Sequence, residues 1–202
     1  MAVMLAQMEY YEALIKALDR ALVLLGRCDS TSKGAPFESA INSMSSGKRE
    51  LISPIYLTDE QYLEKWKNQV YEKLYFREET TEFYTRQGLR VRSKSEVIVA
   101  DMLDENDVPF LYEKPLRLRS GIVHPDFTLL NIRERKEIYW EHFGIMDDRE
   151  YRDNAFLKMR EYEANGLYQG ESLIWTFETG KYPLNTREIR KMIKALKERL
   201  GY

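Results

Sequence analysis

The succession of hydrophobic periods after Arg92 constrains this chain more than any other feature. A helical apolar stripe gives way after residue 107 to three alternating segments, then a helix, a fourth alternating segment and a last helix. Ser93-Lys94-Ser95-Glu96 has capping-box spacing and Val97 to Leu103 is apolar almost all round, which predicts a well-buried helix. Phe110 to Leu118 and Val123 to Leu130 read as a hairpin pair of strands joined across Ser120-Gly121, with Glu137 to Phe143 as a third strand and Ser172 to Thr179 as a fourth. Asp147 is placed to cap a helix that Asn165-Gly166 ends, and Ile189, Met192, Ile193, Leu196 and Leu200 mark one face of the final helix. An αβββαβα order predicts an α/β domain over residues 88–202, with a mixed four-stranded sheet between helices.

Residues 1–87 read as a helical N-terminal extension. Met4, Met8, Tyr11, Ile15, Leu18, Leu22 and Leu25 follow a 4-3-4-3 spacing that puts all seven on one stripe of a helix. Three heptads sit at the lower limit of a coiled coil, so packing onto the rest of the chain is favoured, with a monomer as the expectation and a homodimer through this helix as the alternative. Between Arg27 and Ser53 seven serines, two glycines and Pro36 occur without sustained periodicity, which predicts a linker over 27–53. A second helix is expected from the Thr58-Asp59-Glu60-Gln61 capping box, with Leu63, Trp66, Val70 and Leu74 as its buried stripe.

The 31 lysines and arginines are outnumbered by 33 acids, giving a net charge of -2, so any contact with a polyanion must use a local patch. Arg86, Arg90, Arg92 and Lys94 form one, while Lys114, Arg117 and Arg119 line a predicted strand; cations on the last helix also complement its C-terminal dipole. The single cysteine, Cys28, excludes a disulfide framework and a Cys-rich zinc site. The longest aliphatic run, Ala21 to Leu25, is far too short to span a bilayer, and no basic n-region follows Met1; the expected address is the cytoplasm, with no membrane partner.

Three acids stand at telling places: Glu96 in the first turn of the buried helix, Asp126 in His124-Pro125-Asp126-Phe127, and Glu141 in Tyr139-Trp140-Glu141-His142-Phe143. Ionised carboxylates inside apolar strands are costly unless a cation compensates them, and a divalent metal with hard-oxygen preference is an economical one. Each acid also has a plain structural reading: Glu96 as half of a capping box, Asp126 as a strand-start acceptor, Glu141 as the partner of a cation such as Arg117. The two histidines, His124 and His142, read as ordinary sheet residues, and Asp147 and Asp148 as helix caps.

With these residues in view, the chain resembles the PD-(D/E)xK nuclease superfamily, the restriction-endonuclease-like fold, over about residues 88 to 200. Pro125-Asp126 looks like its PD, Glu141 like its second acid and Glu96 like its helical acid. The chain is also similar to uncharacterised bacterial proteins that carry the Arg92 to Glu96 string ahead of a PDF and a WEH element. The resemblance implies Mg²⁺-dependent (or Mn²⁺-dependent) phosphodiester hydrolysis on DNA, with Asp126, Glu141 and Glu96 at the metal and Arg90, Arg92, Lys94, Lys114 and Arg117 along the nucleic acid. One position departs from the pattern: Phe143 stands where the family has its lysine. Alternation places Phe143 on the same strand face as Glu141 and sends His142 to the other, so the cation must come from elsewhere or be missing. Lys158, on the face of the next helix that carries Tyr151, Asn154 and Tyr162, is the expected displaced lysine, with Lys114 and Lys94 as competitors. The alternative function is a catalytically inactive module of the same fold, serving nucleic-acid binding or protein interaction.

Overall fold

The computed structural model describes residues 1–25, 35–54, 56–76 and 81–202. The chain forms two compact units, Met1–Lys65 and Trp66–Tyr202.

The first unit contains α1 (Ala2–Leu25), α2 (Ala35–Asn42), α3 (Ser46–Arg49) and most of α4 (Asp59–Lys67). In α1 Ala6, Tyr10 and Leu14 are buried, and Tyr10 and Leu14 are set against Ala40, Ile41 and Met44. Within this unit the expected internal packing of the heptad stripe is corrected: Met4, Met8, Tyr11, Ile15 and Leu18 are not covered by α2 and stand exposed. The face that α2 covers is instead that of Tyr10 and Leu14, with Ala13 at its margin. The side chains of Leu22 and Leu25 lie outside the described residues. A second correction concerns the expected linker, of which 35–42 and 46–49 are helical. Phe37, Ala40, Ile41 and Met44 recur at three- and four-residue spacing among the serines and pack on α1, enough to order the segment. Its first residues, 27–34, lie outside the described ones.

The box at the start of α4 forms as expected, Thr58 N donating to Gln61 Oε1 and Gln61 N to Thr58 Oγ1. The helix stops at Lys67, however, because Gln69 turns both its backbone and side-chain amides onto the Trp66 carbonyl. Of the expected stripe Trp66 is buried, while Val70 and Leu74 are exposed.

The second unit adds β1 (Phe83–Tyr84) and β2 (Arg90–Val91), then α5 (Lys94–Glu105), β3 (Phe110–Tyr112), β4 (Leu116–Leu118), β5 (Gly121–Val123), β6 (Phe127–Asn131), β7 (Lys136–Phe143), α6 (Arg149–Ala164), β8 (Leu173–Phe177) and α7 (Thr186–Leu200). The main sheet has the order β3-β6-β7-β8, antiparallel except for the parallel β7–β8 pair. Phe127, Leu129, Ile138 and Trp140 face Val99, Leu103, Ile189 and Ile193 of α5 and α7 in one core. The opposite face meets α6 through Phe143 with Ala155 and Met159, and through Leu173 with Tyr162. The unit is therefore a mixed α/β structure with a four-stranded mixed sheet between helices.

The expected hairpin is present but broken. Tyr112 stands opposite Phe127 and Leu116 opposite Val123, so one register runs through, yet three residues on each side drop out of the ladder. Pro115 and Pro125 lie in those gaps and have no N–H to donate, and Glu113 adopts φ +50°. The interruption leaves Asp126 at the entry to β6 instead of inside a ladder. At α6 the cap is Asp148, which accepts from Tyr151 N at 2.7 Å, rather than the expected Asp147, whose Oδ2 accepts from Gly180 N at 2.9 Å.

At the end of α7, Gly201 takes φ +92° and its N–H returns to the Lys197 carbonyl. A Cβ there would sit 2.7 Å from Arg133 Cγ and 3.0 Å from Ile132 Cγ2. Gly201→Ala is expected to destabilise the protein by about 1–2 kcal/mol, read as a lower denaturant midpoint at unchanged m-value. Among the described residues no helix is long and apolar enough to cross a membrane.

Candidate active site

Glu141 occupies the α6 side of β7, as its alternation with the α5-side Trp140 requires. Its side chain is 3% exposed. Two groups from α6 meet it: Lys158 Nζ lies 2.7 Å from Oε1 and 2.8 Å from Oε2, and the buried Tyr162 hydroxyl donates to Oε1. Lys158 and Tyr162 are four residues apart, one helical turn, so a single face of α6 supplies both. Phe143, two residues along β7, packs on Ala155 and Met159 and makes the apolar floor that holds this helix against the strand.

Asp126 follows Pro125 at the start of β6, and its Oδ2 accepts from His142 N at 2.6 Å. That bond ties it to the strand position next to Glu141. Glu96 is also buried and fully engaged: Oε1 accepts from the Ser93 hydroxyl, Oε2 from Arg92 N at 2.9 Å and from the Tyr112 hydroxyl at 2.7 Å. Glu96 N in turn donates to Ser93 Oγ. Capping and proximity to the other two acids coexist at this residue.

Burial raises the Asp126 carboxyl well above the ordinary range, and the charges of Glu141 and Glu96 push the same way; His142 N and Lys158 only partly offset them. Burial also raises Glu141, against the pull of Lys158 and Tyr162. For Lys158 burial acts downward, but Glu141 and then Asp126 outweigh it and hold the ammonium charged. With a cation on both Glu141 oxygens, the ion pair is the form this geometry fits. Asp126 is the acid left to retain a proton.

Among the described residues no three of His, Cys, Asp and Glu converge as a ready-made metal cluster. The donor set nonetheless suits a hard divalent ion. Asp126 and Glu141 offer two carboxylates, the number that Mg²⁺ commonly takes from protein, and their mutual repulsion is what a bound cation relieves. Such an ion would compete with Lys158 for Glu141. The oxygens of Glu96 already have protein donors, which makes it the weakest ligand of the three.

The competing lysines are elsewhere. Lys114 pairs with Glu137, and Lys94 is an exposed side chain at the start of α5. Arg117 is exposed and does not meet Glu141. Of the expected nucleic-acid contacts, Arg90 pairs with Glu82 at 3.2 Å, Arg92 forks onto both oxygens of Glu113, and both guanidiniums lie over the Phe76 ring. His142 serves the opposite face, with Nε2 3.2 Å from Glu178 Oε1 and Nδ1 3.0 Å from Thr176 Oγ1. Sequence reasoning put Tyr162 on the Lys158 face without giving it a role, although its spacing from Lys158 was a usable signal. It missed Tyr112 and Glu113, for which no local pattern exists, because their partners lie 16 and 21 residues away.

No family model matches the chain, and no solved structure matches it. Over 92 residues the chain is 36% identical to the uncharacterised protein MJ1519 of Methanocaldococcus jannaschii. The match takes in 45% of this chain and 7% of that protein, so the chain corresponds to a small part of its relative.

Proposed function

We propose that the second unit is a nuclease domain of the PD-(D/E)xK kind, with a restriction-endonuclease-like core, and that it hydrolyses phosphodiester bonds in DNA. The observation that carries this reading is the lysine on Glu141. Phe143 vacates the cation position of the strand, and Lys158 reaches the same acid from the next helix, 2.7 Å away. A buried acid, a second acid at the entry to the neighbouring strand, and a charged lysine between helix and sheet are the groups this hydrolysis needs.

Asp126 and Glu141 would hold Mg²⁺, or Mn²⁺ in its place, through hard carboxylate oxygens. Held there, the ion would supply a water of lowered pKa and Lewis-acid polarisation of the scissile phosphate. Lys158, kept charged by its surroundings, donates to the attacking water or to the phosphate oxygens and offsets the charge that develops there. Tyr162 fixes one Glu141 oxygen so that the other side of the carboxylate keeps its aim. Glu96 anchors the start of α5 beside the two acids and adds negative potential. Of the five expected contacts, Lys94 and Arg117 are exposed and carry no ion pair among the described residues, so they are free to meet a phosphate backbone, whereas Arg90, Arg92 and Lys114 must first leave acidic partners.

Incubation of linear and supercoiled DNA with the protein tests the reading. Cleavage is expected with Mg²⁺, none with chelator, and none from Glu141→Gln, while calorimetry registers Mg²⁺ binding to the wild type only. A wild-type protein that neither binds the ion nor cuts DNA overturns it and leaves the inactive binding module.

A further inference from the structure

We propose that the outer face of α1 is a self-association surface and that its occupant is α1 of a second copy of this chain. The helix carries two apolar faces, and only one is used within its own unit. Tyr10 and Leu14 are buried against α2. More than a quarter-turn away, Met4, Met8, Tyr11, Ile15 and Leu18 stand 71%, 54%, 44%, 59% and 36% exposed, with Leu5 at the edge of the stripe 60% exposed. Five large apolar side chains in the open on one stripe of one helix is not the surface of a finished monomer.

Three arguments select the occupant. First, the spacing is alternately four and three residues, the repeat that keeps a seam facing a like helix along its whole length; a helix packed on a sheet or a globular surface needs no such regularity. Second, the six side chains expose on the order of 600 Å², the top of the range for a monomer's largest patch and close to the roughly 800 Å² per partner of a standard interface. Third, charge disfavours a lipid surface. The polar side of α1 carries Glu9, Glu12 and Asp19 against Lys16 and Arg20, whereas helices that lie on anionic bilayers concentrate lysine and arginine there. A second copy brings the same seam and no net charge penalty of that kind.

Sedimentation equilibrium and light scattering on the full chain, wild type and Met8→Glu/Ile15→Glu, test the proposal. Both substituted side chains are exposed, so the fold tolerates them, and far-UV circular dichroism checks that it has. The wild type is expected at twice the chain mass at micromolar concentration. The double variant is expected at the chain mass, its dissociation constant raised at least about 100-fold. A wild type that stays at the chain mass up to about 100 μM overturns the proposal. So does a dimer that survives both glutamates, which would place the interface elsewhere. A monomeric wild type whose melting midpoint falls on substitution also overturns it, and identifies the chain's own second unit as the cover.

Discussion

Lys158→Met is expected to lower Mg²⁺-dependent DNA cleavage by at least about 10³-fold, at the upper end of what loss of one positioned donor to a developing oxyanion costs. The methionine keeps the length and apolar stem of lysine and removes only the charge and the donors. Its effect on folding should be far smaller. Removing one partner of a buried ion pair costs about 3–5 kcal/mol, but Lys158 is a third exposed and water reaches its side of the pair, so roughly 1–3 kcal/mol is expected here. Glu141 responds by taking up a proton, since burial already inclines it that way. Lys158→Arg separates the two effects. It restores charge and most of the stability, yet its planar fork cannot place one donor where the ammonium sits, so cleavage stays at least about 10-fold down. Lys94→Ala, remote from Glu141, should raise KM for DNA with little change in kcat. If Lys158→Met cuts DNA within 10-fold of wild type, the lysine is structural and its catalytic role fails, while the cleavage itself stands.

Much of the second unit was legible because its signals are local. Periods of two and near 3.6 separated strands from helices after residue 107, Ser93 capped where its capping-box spacing put it, and the α7 stripe was buried at Ile189, Ile193, Leu196 and Leu200, with Met192 half-buried. The contact of Lys158 with Glu141 was legible because a buried carboxylate calls for a cation, and the chain's return to β8 forces α6 over the sheet. The failures have one physical source: periodicity tells how apolar residues are spaced but not which of two apolar faces wins. In α1 the face that α2 covers is that of Tyr10 and Leu14 rather than the longer heptad stripe. The α2 segment was hidden by serines whose helix propensity matters less than the four apolar anchors between them. Partners such as Glu113 for Arg92 are tertiary facts, fixed by a bend at a positive φ that no neighbouring residue announces.

Asp126→Asn should make the metal-free protein more stable at neutral pH while removing its activity. Asp126 has a folded pKa raised above its ordinary value, by burial first and then by Glu141 and Glu96, so the folded state holds a proton that the unfolded chain releases. Stability then falls as pH rises from near 4 toward the folded pKa, and is at its lowest above it. Glu141 adds a slope of the same sign. Asparagine keeps an oxygen to accept from His142 N at 2.6 Å and has no charge to bury. In chelator, the melting midpoint of Asp126→Asn should exceed that of the wild type at pH 7.5 and converge with it near pH 4; at this chain length each 1 kcal/mol is worth roughly 2–4 °C. Magnesium should reverse the order. The wild type gains about 1.4 kcal/mol at an ion concentration ten times Kd, and the variant, with one of the two carboxylates gone, gains little. The crossing is the signature of a site whose acids are held against their own repulsion for a ligand's sake. An ordinary strand-start acceptor behaves in the opposite way: neutralising it costs stability at every pH above 4, and a metal-free variant less stable than wild type at pH 7.5 would identify Asp126 as one.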